Sequence, residues 1–411
     1  MNKQILLEKY AKLAVKIGLN VQKDQMVMIN SSIDCAEFTR AVVKAAYEVG
    51  ASYVMVEWSD GFITKTFYEY ASEEQLKEIP DYIVDKFKYF TSKGGCSMSI
   101  ASPNPELMKD VDPKKMMIQR VASQQKMEFM RKYSMENHSQ WLVVAYPSAA
   151  WAKKVFPNLK EEEAQEKLLE AILKACRVSE DNDPVEAWNE HMEKLAKHNK
   201  LLNEYNFESL HFKNSLGTDL DVTLVDNHIW SGGGEYTRKN VYFAPNIPTE
   251  ETFTMPHSQK VNGKVVSTKP LSFQGKLIEN FFLEFKDGEV VNFGAEKEQE
   301  ALGVLLNTDP GSKRLGEVAL ISHDSPISNM NILFYNTLFD ENASCHLALG
   351  NAYTMNLKDS DKMTEEELIS KGYNKSMVHV DFMFGSEDME IIGTTKDGKQ
   401  VQVFKNGNFV F

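Results

Sequence analysis

The sequence predicts an α/β N-terminal domain with a mainly parallel sheet, followed by a strand-rich α+β C-terminal domain. Three observations carry that expectation. In the first half, short apolar runs alternate with longer stretches of helical spacing. After Phe207 the apolar period falls to two, and Asn-Gly or Asp-Gly pairs punctuate the alternating segments. The 411 residues exceed what one hydrophobic core usually serves, so the chain should divide. The boundary is placed near residue 206, giving domains 1–206 and 207–411.

The opening segment, MNKQILLEKYAKLAVKIG, carries a charge every few positions and reads as an amphipathic helix rather than a signal peptide. QMVMIN, residues 25–30, is a short apolar run. The following SIDCAEFTRAVVKAAYEVGA has helical spacing, with Ser32 or Asp34 as N-cap and Gly50 as stop. SYVMVEW (52–58) is read as a second strand of buried type, and CSMSIA (96–101) and WLVVAYPS (141–148) as further strands. PKKMMIQRVASQQKMEFMRKYS is a long helical pattern between them. Residues 158–206 are helical and highly charged; Asp183-Pro184 opens the second helix there, and EEEAQEK is a solvated face. In the second half, SLHFKN and DLDVTLV flank a hairpin turn at Leu216-Gly217-Thr218. VNGKVV, FKDGEVVNF and TTKDGKQVQVFKNGNFVF each place a hairpin dipeptide between strands.

Composition narrows the function classes. With 59 acidic against 46 basic residues the formal net charge is −13, which argues against nucleic-acid binding, because phosphate neutralisation needs clustered Lys and Arg. No segment approaches the roughly 18 apolar residues of a membrane span. The four cysteines are scattered without a CxxC pair, so buried thiols and a reducing cytoplasm are expected. Ser231-Gly232-Gly233-Gly234 lacks the phosphate-loop pattern and is read as a flexible turn. No glycine fingerprint follows QMVMIN, which weighs against a nucleotide- or sugar-binding protein.

MVHVDFMFG, residues 377–385, poses a sharper question. Strand alternation turns Val378, Val380, Phe382 and Phe384 to one face, and His379 and Asp381 to the other, about 6.6 Å apart. A carboxylate beside a neutral imidazole is costly to bury without a cation. Further carboxylates and imidazoles occur at Glu250 and Glu251 in NIPTEETF, Glu317 in KRLGEVALIS, and Glu341 and His346 in FDENASCHLALGNAY. Such groups suit zinc, cobalt or manganese. Glu250, Glu317, Glu341 and Asp381 with neutral His346 and His379 would balance two divalent ions. His211, His228, His257 and His323 show no patterned carboxylate partner.

PNIPTEETFTMP, RLGEVALIS, LFDENASCHLALGNAY and HVDFMFGS resemble, in order and spacing, the motifs of the thermophilic-type metalloaminopeptidase family, the group of aminopeptidases T, S and PepS. The resemblance spans essentially the whole chain. It implies a two-metal exopeptidase that hydrolyses the N-terminal bond of peptides, with its metal site in the C-terminal domain. The ligands it implies are Glu250, Glu317, His346, His379 and Asp381, with Glu317 bridging and Glu341 a ligand or close neighbour. Tyr353 corresponds to an active-site tyrosine, and Glu251, next to a ligand, is a candidate general base. A homodimer with an enclosed cavity is also implied. The rival readings are another metal-dependent amidase or a phosphoesterase using the same ligands.

Overall fold

The computed structural model describes residues 2–411. The chain forms two compact units, Met1–His191 with Gly234–Pro248, and Met192–Gly233 with Thr249–Phe411. The division falls within the long helix Pro184–Tyr205.

The first unit is built on a four-stranded sheet in the order Tyr53–Ser59, Met26–Ser32, Cys96–Ala101, Trp141–Ala145. All neighbours run parallel. Met28, Ile29, Met98 and Val144 are fully buried, as expected where helices cover both faces. The helix Ala36–Glu48 buries Phe38, Val42, Ala45 and Ala46, and Tyr10 of the first helix stacks on Phe38 at 4.6 Å between ring centres. Two expectations need correction here. Tyr53–Ser59 is an edge strand, with Tyr53 54% and Trp58 48% exposed, so it is not buried on both faces. The helical stretch from Pro113 breaks at Met127 into Pro113–Lys126 and Glu128–Met135. Neither piece has a fully buried residue, so no packed stripe enforces one continuous rod.

The second unit holds a nine-stranded antiparallel sheet and a four-stranded antiparallel sheet around one large apolar core. The hairpin Ser209–Lys213 to Asp219–Leu224 forms as expected. Asp287-Gly288 and Asn406-Gly407 turn the chain with positive φ at both residues, and Gly398 closes the turn after Thr394. Asn262-Gly263 does not turn the chain. It lies inside the strand Pro256–Val266, where a Cβ on Gly263 would stand 2.3 Å from Asp219 O. The dipeptide permits close strand approach beside an irregular register, chemistry that resembles a turn in sequence. His211, expected to lack a carboxylate partner, has one: its Nδ1 lies 2.8 Å from Asp221 Oδ1, directly across the hairpin. Among the described residues, no helix is long and apolar enough to cross a membrane.

Candidate metal centre

The smaller sheet of the second unit runs in the order His379–Met383, His346–Gly350, Leu315–Leu320, Thr252–Thr254. Facing residues in antiparallel strands share a side, so the register sorts its two faces. Val318, Leu347 and Phe382 align across three strands and belong to the apolar core. Glu317, Ala348 and Asp381 align on the opposite face, with His346 beside them opposite Ala319 and Met383. A register shift between Leu315 and Glu317 makes this possible. Without that bulge, Glu317 would face Leu347 and enter the core; with it, Glu317 turns toward Asp381. Gly316 sits at the bulge because a Cβ there would stand 2.3 Å from Gly350 O and 2.5 Å from Asn351 O.

The same face assembles two overlapping groups, Glu251–Glu317–His346 and Glu317–His379–Asp381, with the ligand atoms of each within 4.8 Å of one another. His346 Nε2 lies 3.3 Å from Glu251 Oε2 and 3.4 Å from Glu317 Oε1. His379 Nε2 lies 3.5 Å from Glu317 Oε2 and 3.3 Å from Asp381 Oδ1. Glu317 therefore offers one oxygen to each histidine. Glu250, expected among the ligands, belongs to neither group, whereas Glu251, expected as a base, belongs to the first. The register gives the reason. Phe253 pairs with Ala319 on the site face, and Thr252 pairs with Leu320 on the core face. Continued alternation sends Glu251 with Phe253 toward the site and Glu250 with Thr252 away from it.

Electrostatics of these residues fit a cation. Burial raises the Glu317 carboxyl to about 7, with Glu251 and Asp381 pushing the same way against His346. Burial would lower His379, but hydrogen bonding and attraction to Asp381, with Glu317 adding, carry it up to about 9. His346 is likewise lowered by burial and then held well above its ordinary range by Glu251 and Glu317. Asp381 is raised by burial but kept below its usual range by His379 and His346. Protons thus crowd between these donors. His379 Nδ1 donates to Asn351 O at 2.7 Å, which leaves its Nε2 lone pair pointed at carboxylate oxygens. Such lone pairs meet without repulsion only across a proton or a metal ion, and imidazole with carboxylate is a donor set suited to divalent transition metals.

Tyr353 flanks the groups, its ring 4.6 Å from that of His379 and 6.2 Å from that of Phe253. Burial and the surrounding carboxylates push its hydroxyl well up, so it stays protonated. Glu341 lies outside both groups, but its carboxyl is pushed well above the ordinary range by burial and by the charges of Glu251 and Asp381. Sequence reasoning missed two contributors, Asn351 and Gly316. Each acts through its backbone, and neither has a distinctive side-chain signal.

The chain matches the thermophilic metalloprotease (M29) family over residues 3–409. It is 46% identical over 405 residues to aminopeptidase 2 of Geobacillus stearothermophilus, covering 98% of each chain. It is 38% identical over 406 residues to aminopeptidase T of Thermus aquaticus, again covering 98% of each. The solved structure of wild-type AmpT from Thermus thermophilus superposes with a TM-score of 0.90 at 36% identity, covering 99% of both chains.

Proposed function

The chain belongs to the thermophilic metalloprotease (M29) family, and from that premise we propose an aminopeptidase that removes N-terminal residues from peptides using two divalent ions. One observation carries the two-ion reading: Glu317 is common to both ligand groups and turns one carboxylate oxygen to His346 and the other to His379. The residues that would hold the ions are Glu251, Glu317 and His346 on one side, and Glu317, His379 and Asp381 on the other. Zinc, cobalt and manganese all suit these donors. When bound, such ions supply a water acidic enough to ionise near neutral pH and polarise the scissile carbonyl.

The chain's own groups do the rest. Asn351 O, by accepting the Nδ1 proton of His379, fixes the tautomer that keeps Nε2 available. The Tyr353 hydroxyl, held protonated, donates to the oxygen that gains charge as the carbonyl is attacked. Glu341, which lies outside both groups, would take the place of Glu251 in accepting a proton from the attacking water and returning it to the leaving amine. It does so once the positive charge of bound ions offsets the burial and neighbouring carboxylates that otherwise keep its carboxyl protonated. A free peptide α-amine would dock against an ion or an acidic side chain of the site, which gives amino-terminal preference. Four buried free thiols support a reducing compartment such as the cytoplasm. A homodimer completes the reading, tested by light scattering.

The experiment is hydrolysis of leucine p-nitroanilide, its N-acetylated form and p-nitrophenyl phosphate, each before and after chelation. Cleavage of the free-amine substrate alone, abolished by chelation and by Glu317→Ala, is expected. Equal cleavage of the acetylated amide, or turnover of the phosphate ester, would overturn the assignment.

A further inference from the structure

Glu250 and Glu251 are neighbours in an extended segment, so the way its backbone is held decides which carboxylate meets His346. Asn342, only 1% exposed, accepts the Glu250 N–H through Oδ1 at 2.7 Å. Its Nδ2 donates to Leu338 O at 3.2 Å and lies 3.5 Å from Glu341 Oε1. On the other side of the segment, Gly232 presses against the Glu251 peptide. With φ at +150°, a Cβ there would stand 2.1 Å from Glu251 O and 3.0 Å from its carbonyl carbon. Ser231 and Phe253 exchange two backbone hydrogen bonds, of 3.0 and 2.8 Å, which fasten this glycine loop to the strand. The backbone is thus gripped before and after Glu251.

We propose that Asn342 and Gly232 are positioning residues that set the register of this segment, so that Glu251 and not Glu250 is presented to the metal centre. The proposal rests on Glu251 being a ligand. A slip of one residue would exchange the two side chains between faces, and nothing in the two residue types themselves prevents it. The Ser-Gly-Gly-Gly run, whose sequence suggests a flexible turn, acquires a specific role, because only a residue without a Cβ can lie this close to the Glu251 carbonyl. Asn342 supplies the complementary hold, since a buried N–H left without its acceptor is costly.

The test is a mutant cycle read as zinc affinity, by competition with a chelator, on the full chain. Glu251→Gln should weaken zinc binding roughly tenfold or more, and Asn342→Ala or Gly232→Ala roughly tenfold to a hundredfold. Glu250→Gln alone should leave affinity within about twofold, because it lies outside the site. In the Asn342→Ala or Gly232→Ala background, however, Glu250→Gln should become costly, as Glu250 then competes for the vacated register. A merely structural role would not create that new dependence. Asn342→Asp keeps an acceptor for the Glu250 N–H and should restore indifference to Glu250→Gln, which holds the comparison open should Asn342→Ala fail to fold. Purely additive effects, or unchanged zinc affinity in both Asn342→Ala and Gly232→Ala, would overturn the proposal while leaving the ligand reading intact. Full zinc affinity in Glu251→Gln would overturn the ligand reading itself, and this proposal with it.

Discussion

Replacing Glu317 with glutamine should stabilise the metal-free protein above neutral pH while removing its response to metal. The carboxyl is 5% exposed in the folded chain, and burial there raises it from 4.5 to about 7. Below about pH 4.5 it is protonated in both folded and unfolded chains and costs nothing. Between 4.5 and 7 the unfolded chain ionises first, so wild-type stability falls as pH rises. Above about 7 the loss is complete, and at ~1.4 kcal/mol per pH unit it amounts to roughly 3 kcal/mol. Glutamine has no such dependence. It also forfeits the attraction of His346, so roughly 3 kcal/mol is a ceiling and a gain above about 1 kcal/mol is expected. Urea unfolding with chelator present, at pH 5 to 8, measures the difference directly. Zinc at a thousandfold excess over Kd then reverses the order, because wild type gains about 4.1 kcal/mol and the variant does not. Parallel pH profiles for the two proteins, or an equal zinc response, would refute the buried, shared role of this carboxylate.

Two further outcomes follow from the same geometry. Since His379 titrates near 9 and Glu317 near 7 without metal, ions must displace protons; zinc affinity should fall about tenfold or more per unit as pH drops from 9 to 7, and more steeply below 7, as chelator competition would show. Tyr353→Phe should lower kcat by roughly 10²-fold while metal content by atomic emission stays unchanged, because the ring is kept and only the donor is lost.

How much of this was legible in the sequence depends on whether the signal is local. Asp287-Gly288 and Asn406-Gly407 announce hairpins because their positive φ angles are a property of the dipeptide itself. Asn262-Gly263 carries the same letters, yet its glycine answers to Asp219 across the sheet, a partner no local pattern names. The two faces of His379–Met383 were readable from alternation alone, since Val380 and Phe382 alternate with His379 and Asp381. Choosing between Glu250 and Glu251 was not, because it turns on the pairing of Phe253 with Ala319. Glu317 stood out as a residue type, but its turn toward the site depends on the bulge at Gly316, which only the strand pairing reveals. The exposure of Tyr53–Ser59 likewise follows from its place at the sheet edge, set by the order in which parallel strands assemble.

The sharing of Glu317 between two ligand groups makes the number of ions bound per chain the most direct measurement. Titrating metal-free protein with zinc, with bound metal and peptidase activity followed together, should give two equivalents per chain, and Glu317→Gln should hold neither tightly. Full activity at a single equivalent, or undiminished binding of two by Glu317→Gln, would contradict a centre bridged by that carboxylate.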